Sequence, residues 1–350
     1  MDTVSTSDAD ALIWLDPEWK AGAVEWVAAR LSEQGRAVVG EIEQPHVYPW
    51  STVLRVPTQE GPVWFKANAR GTVYEARLLP ALGTWCPDRV LVPLAVDADR
   101  GWLLLPDGGT ILRAAQGGQT DLAHWERVLV EYAEMQRLLS PRADEMVALG
   151  VPDLRPAALA GHLADLLADE PVLMIDQPDG ITSDQLAQLR SEQRQFAQRC
   201  DELAATGVPP SLQHDDLHDG NVFVPYDGVG PYRVFDWVDA SVAHPFATLL
   251  VTLRVVADRF GFPNGAPELL RLRDAYVEPW TGEHDRATLV EACRLALLTS
   301  PVSRALSWRR SLVDATPSAR ARHGDGIPGW LGELGEPSSL DGDPDAAAGS

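Results

Sequence analysis

The segment Ser211–Val224, SLQHDDLHDGNVFV, concentrates side chains that can bind a metal ion or move a proton. Two histidines, three aspartates and one asparagine occupy the eight positions from His214 to Asn221. Apolar residues follow directly, as is typical of a polar loop that leads into a strand. Such a set suits a metal site, a polar turn or a catalytic loop, and each alternative requires a different surrounding sequence.

A zinc site is the first alternative. His214 and His218 are four positions apart, like paired zinc ligands on one face of a helix. The neighbouring sequence does not favour a helix, because the proline pair at 209–210 and Gly220 are poor helix formers. No third ligand is indicated downstream except the isolated His244. A zinc hydrolase therefore fits the segment poorly.

A polar turn is the second alternative, since Asp and Asn side chains bond to local backbone amides between short strands. This interpretation leaves Asp236 unexplained, because it lies in VFDWVD among residues that favour burial. A half-buried carboxylate needs a partner, and a divalent cation would serve.

A kinase-type catalytic loop is the third alternative. Asp216 lies two positions after His214, Asn221 five positions after Asp216, and Asp236 fifteen positions after Asn221. The spacing resembles the kinase loop H-x-D-x-x-x-x-N followed by a metal-binding Asp. Phosphoryl transfer to a hydroxyl needs one carboxylate at the acceptor and oxygen ligands that hold Mg²⁺ against the phosphates. This interpretation makes Asp216 catalytic, and Asn221 and Asp236 metal ligands.

The composition limits the partners of the chain. Its 350 residues, 45% hydrophobic with 12 Trp, suffice for two lobes that each have a core. The net charge of -22 disfavours binding to nucleic acid and to an anionic membrane surface. Cys86, Cys200 and Cys293 are far apart, which favours neither a disulfide framework nor a thiolate zinc site. No secretory signal is evident, and we expect a cytoplasmic protein.

Hydrophobic patterning predicts a β-rich part followed by a helical part. A helix is expected from Asp16 to Gly35, then a strand at 36–42, and then a hairpin of strands at 51–58 and 62–67. A helix at 72–82 follows. Further helices are predicted at 120–139, 183–207, 246–261, 266–277, 286–299 and 301–312. The order indicates an α+β chain rather than alternating βαβ units.

The predicted domains follow this division. They are an N-terminal helical extension (1–36), a β-rich nucleotide-binding N-lobe (37–107), a helical C-lobe with the catalytic loop and acceptor site (108–331), and a disordered acidic tail (332–350).

The loop resembles that of the aminoglycoside phosphotransferase-like family of small-molecule kinases, which usually reads H-G-D-L-H-P-G-N. Residues 216–218 and 220–221 match its D-L-H and G-N positions, and residues 236–237 match its D-W pair. Asp215 stands where Gly is usual, and Asp219 stands where Pro is usual. The resemblance implies a bilobal protein-kinase-like fold, with a small antiparallel N-lobe sheet, one main helix in that lobe, and a larger, mostly helical C-lobe.

The resemblance also implies a nucleotide site. Lys66, one of only two lysines in the chain, matches the phosphate-holding lysine on the third strand, and Glu75 would hold it by an ion pair. Leu105 falls in the segment that would join the lobes and bind the base. No G-x-G-x-x-G loop precedes the hairpin, so Ser51 and Thr52 would contact phosphate instead.

The implied function is a phosphotransferase that uses ATP or GTP with Mg²⁺ and phosphorylates a hydroxyl of a small molecule, in a cleft between the lobes. An aminoglycoside or another amine-bearing sugar is one acceptor class. The alternatives are a kinase of another metabolite, such as a sugar, an amino alcohol or a macrolide, and a non-catalytic nucleotide-binding pseudokinase or regulator. Acidic residues after position 246 either attract a cationic acceptor or form solvated surface. They are Asp274, Glu278, Glu283, Asp285 and Glu291.

Overall fold

The computed structural model describes residues 13–117, 121–226 and 228–342. The chain forms two compact units, the first comprising Met1–Gly109 with Trp308–Gly324 and the second Thr110–Ser307 with Asp325–Ser350. Residues 308–324 belong to the first unit, and the predicted domain boundaries stay predictions. Of the tail predicted to be disordered, residues 343–350 lie outside the described residues. No helix of the described part is both long and apolar enough to cross a membrane.

The regular elements are numbered in chain order. The strands are β1 (Glu43–Tyr48), β2 (Ser51–Thr58), β3 (Gly61–Asn68), β4 (Ala95–Asp97), β5 (Trp102–Pro106), β6 (Asp153–Leu154), β7 (Ser211–Gln213), β8 (Val222–Phe223), β9 (Arg233–Val234) and β10 (Ser241–Ala243). The helices are α1 (Pro17–Glu33), α2 (Glu75–Trp85), α3 (Leu112–Gln116), α4 (Leu122–Leu139), α5 (Ala143–Ala148), α6 (Pro156–Ala168), α7 (Glu170–Leu173), α8 (Ser183–Ala205), α9 (Leu249–Phe260), α10 (Pro267–Val277), α11 (Arg286–Ser311), α12 (Pro317–His323) and α13 (Gly326–Gly332).

The first unit contains a five-stranded antiparallel sheet of order β1-β2-β3-β5-β4. The predicted hairpin of β2 and β3 is confirmed, with pairing from Ser51↔Asn68 to Thr58↔Gly61. The strand predicted at 36–42 is wrong, since only Val38 of that run makes a bridge and β1 lies further along. β1 contains Pro45, which a sheet tolerates here because β1 is an edge strand.

Helix α1 covers one face of this sheet. The Asp16 carboxylate caps the helix by accepting the Glu18 and Trp19 N–H groups at 2.8 and 2.9 Å, and Pro17 opens the first turn as predicted. Its buried side chains join one core with alternate strand residues. This core includes Ala23, Val27, Leu31, Leu54, Val56, Val63, Phe65, Ala67, Trp102 and Leu104. Because side chains alternate across a strand, Lys66 lies on the opposite face.

The second unit is mostly helical and carries a three-stranded sheet, β6-β10-β7, and the pair β8-β9. α4 packs against α10, and α6 packs against α8. The buried Gln136 on α4 donates from Nε2 to the Leu212 main-chain oxygen of β7 at 2.9 Å. The Tyr276 hydroxyl on α10 lies within hydrogen-bond distance of two acceptors, Gln136 Oε1 and Pro245 O. Two packed helices therefore fix the strand that precedes the polar segment.

Helix α11 runs without a break through Pro301, whereas the sequence predicted two helices, at 286–299 and 301–312. A proline inside a helix loses one backbone hydrogen bond. The Thr299 hydroxyl donates to Leu295 O at 3.1 Å, and the Ser300 hydroxyl donates to Ala296 O at 2.5 Å. Neither bond reaches the Leu297 main-chain oxygen, which loses its donor at Pro301, so the burial of α11 side chains such as Val302 is what favours the continuous helix.

Candidate active site

The polar loop, residues 214–221, joins β7 to β8 in the second unit. Asp215 has a φ of 63°, a left-handed conformation that residues other than Gly, Asn and Asp seldom adopt. Its buried carboxylate accepts hydrogen bonds from Gln213 Nε2 at 3.0 Å and from Ser303 Oγ at 2.6 Å. An aspartate here therefore retains the backbone turn for which glycine is usual.

Asp216 and Asn221, the predicted catalytic residue and a predicted metal ligand, are in contact. Asn221 Nδ2 donates to the Asp216 main-chain oxygen at 3.1 Å and lies 3.3 Å from its carboxylate Oδ2. His218 Nε2 lies 3.4 Å from the same Oδ2. The side-chain amide of Asn221 thus links Asn221 to Asp216. The side chains of Asp216, His218 and Asn221 therefore lie close together.

His214 anchors the loop to the segment that carries Asp236. Its Nε2–H donates to Phe235 O at 2.9 Å, and its Nδ1 accepts the Asp216 N–H at 3.3 Å. Burial lowers the pKa of His214, so the ring is neutral at pH 7. Both ring nitrogens are engaged, which excludes the zinc-ligand interpretation of His214. Within the described ranges, no group of three His, Cys, Asp or Glu side chains has the arrangement of a metal site.

His218 depends on Gly220 for its position. The Gly220 N–H donates to His218 Nδ1 at 2.9 Å. A Cβ atom at position 220 would lie 2.7 Å from the His218 Cε1, closer than such atoms approach. Any larger residue would displace the ring from Asp216, so these contacts give His218 a role in holding the loop.

Asp216 also lies beside a buried arginine. Arg304 Nη2 on α11 is 3.4 Å from Asp216 Oδ1. Burial by itself raises the pKa of Asp216, but the Arg304 guanidinium and His218 together hold it well below its usual range. Asp216 is therefore ionised at neutral pH, as a carboxylate that receives a hydroxyl hydrogen bond needs to be.

Asp219 is fully buried and fastens the other side of the loop. Arg113 Nε and Nη2 lie 2.9 and 2.8 Å from its Oδ1, and Arg259 pairs with its Oδ2. The Arg113 N–H also donates to the Asp219 main-chain oxygen at 2.9 Å. At the position where proline is usual in the resembling family, this chain has an ion-paired clamp between α3 and α9.

Asp236 follows β9 directly, and the pairing of β9 with β8 brings it near Asn221. The Phe235 N–H donates to the Asn221 main-chain oxygen at 3.1 Å. Asp236 has a φ of 66°, and its side chain does not cap the helical turn that follows. The Asn221 amide uses its Nδ2 on Asp216, and in the described part of the chain nothing donates to its Oδ1. A carboxylate and an amide oxygen are the ligand types that Mg²⁺ prefers, so these two residues fit the predicted cation.

Lys66 and Glu75 form the implied ion pair in the first unit. Lys66 Nζ lies 3.0 and 2.8 Å from the two carboxylate oxygens of Glu75. Asn68 Nδ2 donates to Glu75 Oε2 at 2.8 Å. Both charged side chains are at least nine-tenths buried, so the pair presents one fixed ammonium on the sheet. Its role in nucleotide binding stays a prediction.

Ser51 and Thr52 begin β2, and both hydroxyls contact β1. The Thr52 hydroxyl donates to His46 O at 2.7 Å and accepts from Gln44 Nε2 at 3.0 Å. Ser51 Oγ lies 3.2 Å from His46 Nε2. These bonds hold the hairpin that would face phosphate, and the phosphate-binding role of the two residues stays a prediction.

Leu105 pairs with Trp64 in adjacent strands, and Leu103 pairs with Lys66. Cross-strand partners point to the same face of a sheet. Leu105, Trp64 and Lys66 therefore share the face that α1 does not cover. The Trp64 indole N–H donates to Asp107 Oδ1 at 3.0 Å, which fixes the ring at the end of β5. The predicted base-binding role of Leu105 is compatible with this face and stays a prediction.

Trp64, Asn68 and Arg304 were not among the residues predicted from the sequence. Alternation along β3 from Lys66 places Trp64 and Asn68 on its face, so that signal was available in the sequence. Arg304 has no local signal, because it reaches Asp216 only through the packing of α11 in the second unit.

The acidic residues considered for a cationic acceptor are mostly engaged. Asp274 pairs with Arg273 and Arg286 at 2.7 and 2.8 Å, and Asp285 caps α11 by accepting the Thr288 N–H at 3.0 Å. The remaining three lie within salt-bridge distance of arginines; they are Glu278, Glu283 and Glu291. Such ion pairs are typical of a solvated protein surface. They give no indication that the phosphate acceptor is cationic.

Solved structures with the same fold are small-molecule kinases and phosphotransferases. Plasmodium vivax ethanolamine kinase aligns at a TM-score of 0.60 with 11% identity, over 90% of this chain and 89% of that one. Macrolide 2'-phosphotransferase MphH from Brachybacterium faecium aligns at 0.54 with 16% identity, over 87% and 98%. Aminoglycoside phosphotransferase APH(3'')-Id from Streptomyces rimosus aligns at 0.50 with 16% identity, over 81% and 98%. At these identities the likeness concerns the fold.

No curated protein sequence matches the chain. The profile of the phosphotransferase enzyme family, APH, matches residues 50–289, which is more than half of the chain and includes Lys66, the polar loop and Asp236. The predictions of the family, of the α+β kinase-like fold class and of a small-molecule phosphotransferase are thereby confirmed. This chain belongs to the phosphotransferase enzyme family.

Proposed function

We propose that this phosphotransferase moves the γ-phosphoryl group of ATP or GTP to a hydroxyl group of a small molecule. The observation that carries the proposal is the polar loop, in which an ionised Asp216 is fixed against Asn221 and His218. Phosphoryl transfer depends mainly on positioning and on charge stabilisation, and this loop supplies both.

Asp216 is the proposed acceptor-side residue. Its carboxylate accepts a hydrogen bond from the acceptor hydroxyl and takes the proton as the oxygen bonds to phosphorus. A carboxylate with a lowered pKa is a weak base before the reaction. Its main contribution is therefore to orient the hydroxyl, and the proton transfers late.

Asn221 and Asp236 would hold Mg²⁺ through the amide oxygen and the carboxylate. Bound there, the cation would neutralise phosphate charge, as it does in kinases generally. The Asn221 Nδ2 bond to Asp216 leaves the amide oxygen for this purpose.

Lys66 is the proposed phosphate-holding cation. A lysine side chain that is almost wholly buried and paired with Glu75 is held in one place. A fixed charge of this kind favours phosphate because it needs no reorganisation on binding. Leu105 would contact the base, and Ser51 and Thr52 the phosphates.

An aminoglycoside or another amine-bearing sugar is the first acceptor class to test, with sugars, amino alcohols and macrolides next. The solved relatives are named for ethanolamine, macrolides and aminoglycosides, which all offer a hydroxyl acceptor.

The test measures ADP or GDP release with Mg²⁺ in the presence of each acceptor class. We expect one class to stimulate release. Asp216→Asn should then reduce turnover by roughly 10²–10⁴-fold, the usual loss of an acid–base group, while nucleotide binding by calorimetry is retained. Asp258→Asn, the same change at an exposed carboxylate on α9, serves as the matched control. Full turnover in Asp216→Asn would refute the assignment.

The non-catalytic alternative makes the opposite prediction. A pseudokinase or regulator binds nucleotide without stimulated release by any acceptor or by cell extract. Extract-stimulated release that is lost in Asp216→Asn would exclude this alternative.

A further inference from the structure

Arg304 links two parts of the candidate site. Its side chain is 9% exposed, and its guanidinium lies 3.4 Å from Asp216 Oδ1 and 3.6 Å from Asp239 Oδ2. Asp216 belongs to the polar loop, and Asp239 ends the helical turn that begins after Asp236. One buried cation on α11 therefore bridges the acceptor side and the segment that carries a proposed metal ligand.

The contacts of Asp216 are divided between its two oxygens. Asn221 Nδ2 and His218 Nε2 lie 3.3 and 3.4 Å from Oδ2. On the other oxygen, Oδ1, Arg304 is the single polar partner that the described residues provide. Partners on both oxygens fix the rotation of a carboxylate about its terminal bond. Without Arg304, nothing in this part of the chain holds the Oδ1 side.

Stability alone does not account for Arg304. Its pair distances exceed the 2.7–2.9 Å of strong charge-assisted hydrogen bonds. Its Nε atom is buried and makes no hydrogen bond to any described residue. Trp330 on α13 lies 5.6 Å from the guanidinium and shields it on one side. A buried donor without a partner is costly, so this arrangement is not an optimised structural ion pair.

We infer that Arg304 is a positioning residue, which holds the Asp216 carboxylate in one orientation against Asn221 and links it to the Asp239 turn. The catalytic consequence of this role rests on the proposed function, whereas the orientation itself does not. Arg304 acts through Asp216 and need not touch nucleotide or acceptor.

The first experiment concerns the orientation. Crystal structures of the wild-type chain, Arg304→Met, Arg304→Lys and the control Arg294→Met are compared. Arg294 lies on the same helix, is half-exposed and pairs with Glu291. We expect the Asp216 carboxylate to leave Asn221 Nδ2 in Arg304→Met and to stay in the control. If Arg304→Met does not fold, Arg304→Lys decides, because a single ammonium cannot span both carboxylates. An unmoved Asp216 carboxylate in these variants overturns the inference.

The second experiment concerns catalysis. Arg304→Met should lower kcat roughly 100-fold, the loss expected from a misplaced reacting group, and leave the nucleotide Kd unchanged. Arg304→Lys should be intermediate. In the Asp216→Asn background, Arg304→Met should add no further loss, because the residue acts through Asp216. A purely structural role would instead weaken nucleotide binding and add to the loss in Asp216→Asn, and either result overturns the inference.

The two proposals fail separately. A wild-type chain that transfers phosphate to no acceptor contradicts the proposed function, and the crystal structures still decide the orientation. A wild-type chain that is active, with kcat unchanged in Arg304→Met, contradicts only the role of Arg304.

Discussion

Asp219→Asn is the sharpest test of how the polar loop is held. The substitution keeps the shape of a side chain that is fully buried and removes its charge. Arg113 loses a carboxylate oxygen 2.8 Å from its Nη2, and Arg259 loses its partner on the other oxygen. The asparagine NH₂ group would also face one of the two guanidinium groups.

The magnitude follows from the exposure of the two arginines. Removing one partner of a buried ion pair costs about 3–5 kcal/mol when the other charge stays buried. Arg113 is 53% exposed and recovers water, whereas Arg259 is 19% exposed and recovers little. We therefore expect Asp219→Asn to lower the free energy of unfolding by about 3 kcal/mol, the lower end of that range.

Urea unfolding followed by tryptophan fluorescence measures this loss. Asp258→Asn is the matched control, because it makes the same chemical change at an exposed residue. Asp258 directly precedes Arg259 in the sequence. A surface substitution of this kind should cost less than about 0.5 kcal/mol. Because the chain forms two compact units, the loss should fall on the transition of the unit that contains the loop.

A double variant tests the cause. The double variant Asp219→Asn, Arg259→Met removes both charges of the Asp219–Arg259 ion pair. Neither charge is then left buried without its partner. Its loss should therefore be smaller than the sum of the single losses by about 1 kcal/mol or more. Additive losses, or an Asp219→Asn variant as stable as Asp258→Asn, would refute the clamp.

The other predictions concern the first unit, the pH dependence and the thiols. Glu75→Gln should destabilise the chain by about 3 kcal/mol, because Lys66 would stay buried without its counter-charge, and should weaken nucleotide binding; unchanged calorimetry and urea unfolding would contradict this. Burial lowers the pKa of His244 to about 3. Its unfolded pKa is about 6.5, so the unfolded state takes up the proton first as pH falls, and His244 removes about 1.4 kcal/mol of stability per pH unit below about 6.5. His244→Asn should lose less stability than the wild type between pH 6.5 and 4.5, and equal losses would count against the assignment. The three cysteines are buried, and burial raises the thiol pKa of each, to about 11 for Cys86 and about 12 for Cys200. A thiol reagent should therefore modify them only after unfolding in urea, and rapid modification of the native chain would contradict this.

Short-range features of the chain were predictable because they depend on local spacing. The cap at Asp16 and the β2–β3 hairpin were confirmed, since a capping side chain or a tight turn acts within a few residues. The contact between Asp216 and Asn221 is likewise local. The Lys66–Glu75 pair followed from the family resemblance rather than from residue patterns.

Errors arose where distant packing overrides a local signal. Two helices were predicted on either side of residue 300, but the buried side chains of α11 stabilise one continuous helix through Pro301. The strand predicted at 36–42 was also wrong, because the sheet pairs β1 with β2 and leaves only Val38 of the predicted run in a bridge. In both cases the environment, which is absent from the local sequence, decides the outcome.

By itself, the sequence determined which chemical groups are available, their order along the chain and the family to which they belong. Only the tertiary structure decided that Asp219 is clamped by Arg113 and Arg259, and that Arg304 lies beside Asp216. The physical reason is that a carboxylate responds to the charges within a few ångströms of it. Which charges those are depends on how helices pack, not on how far apart the residues stand in the chain.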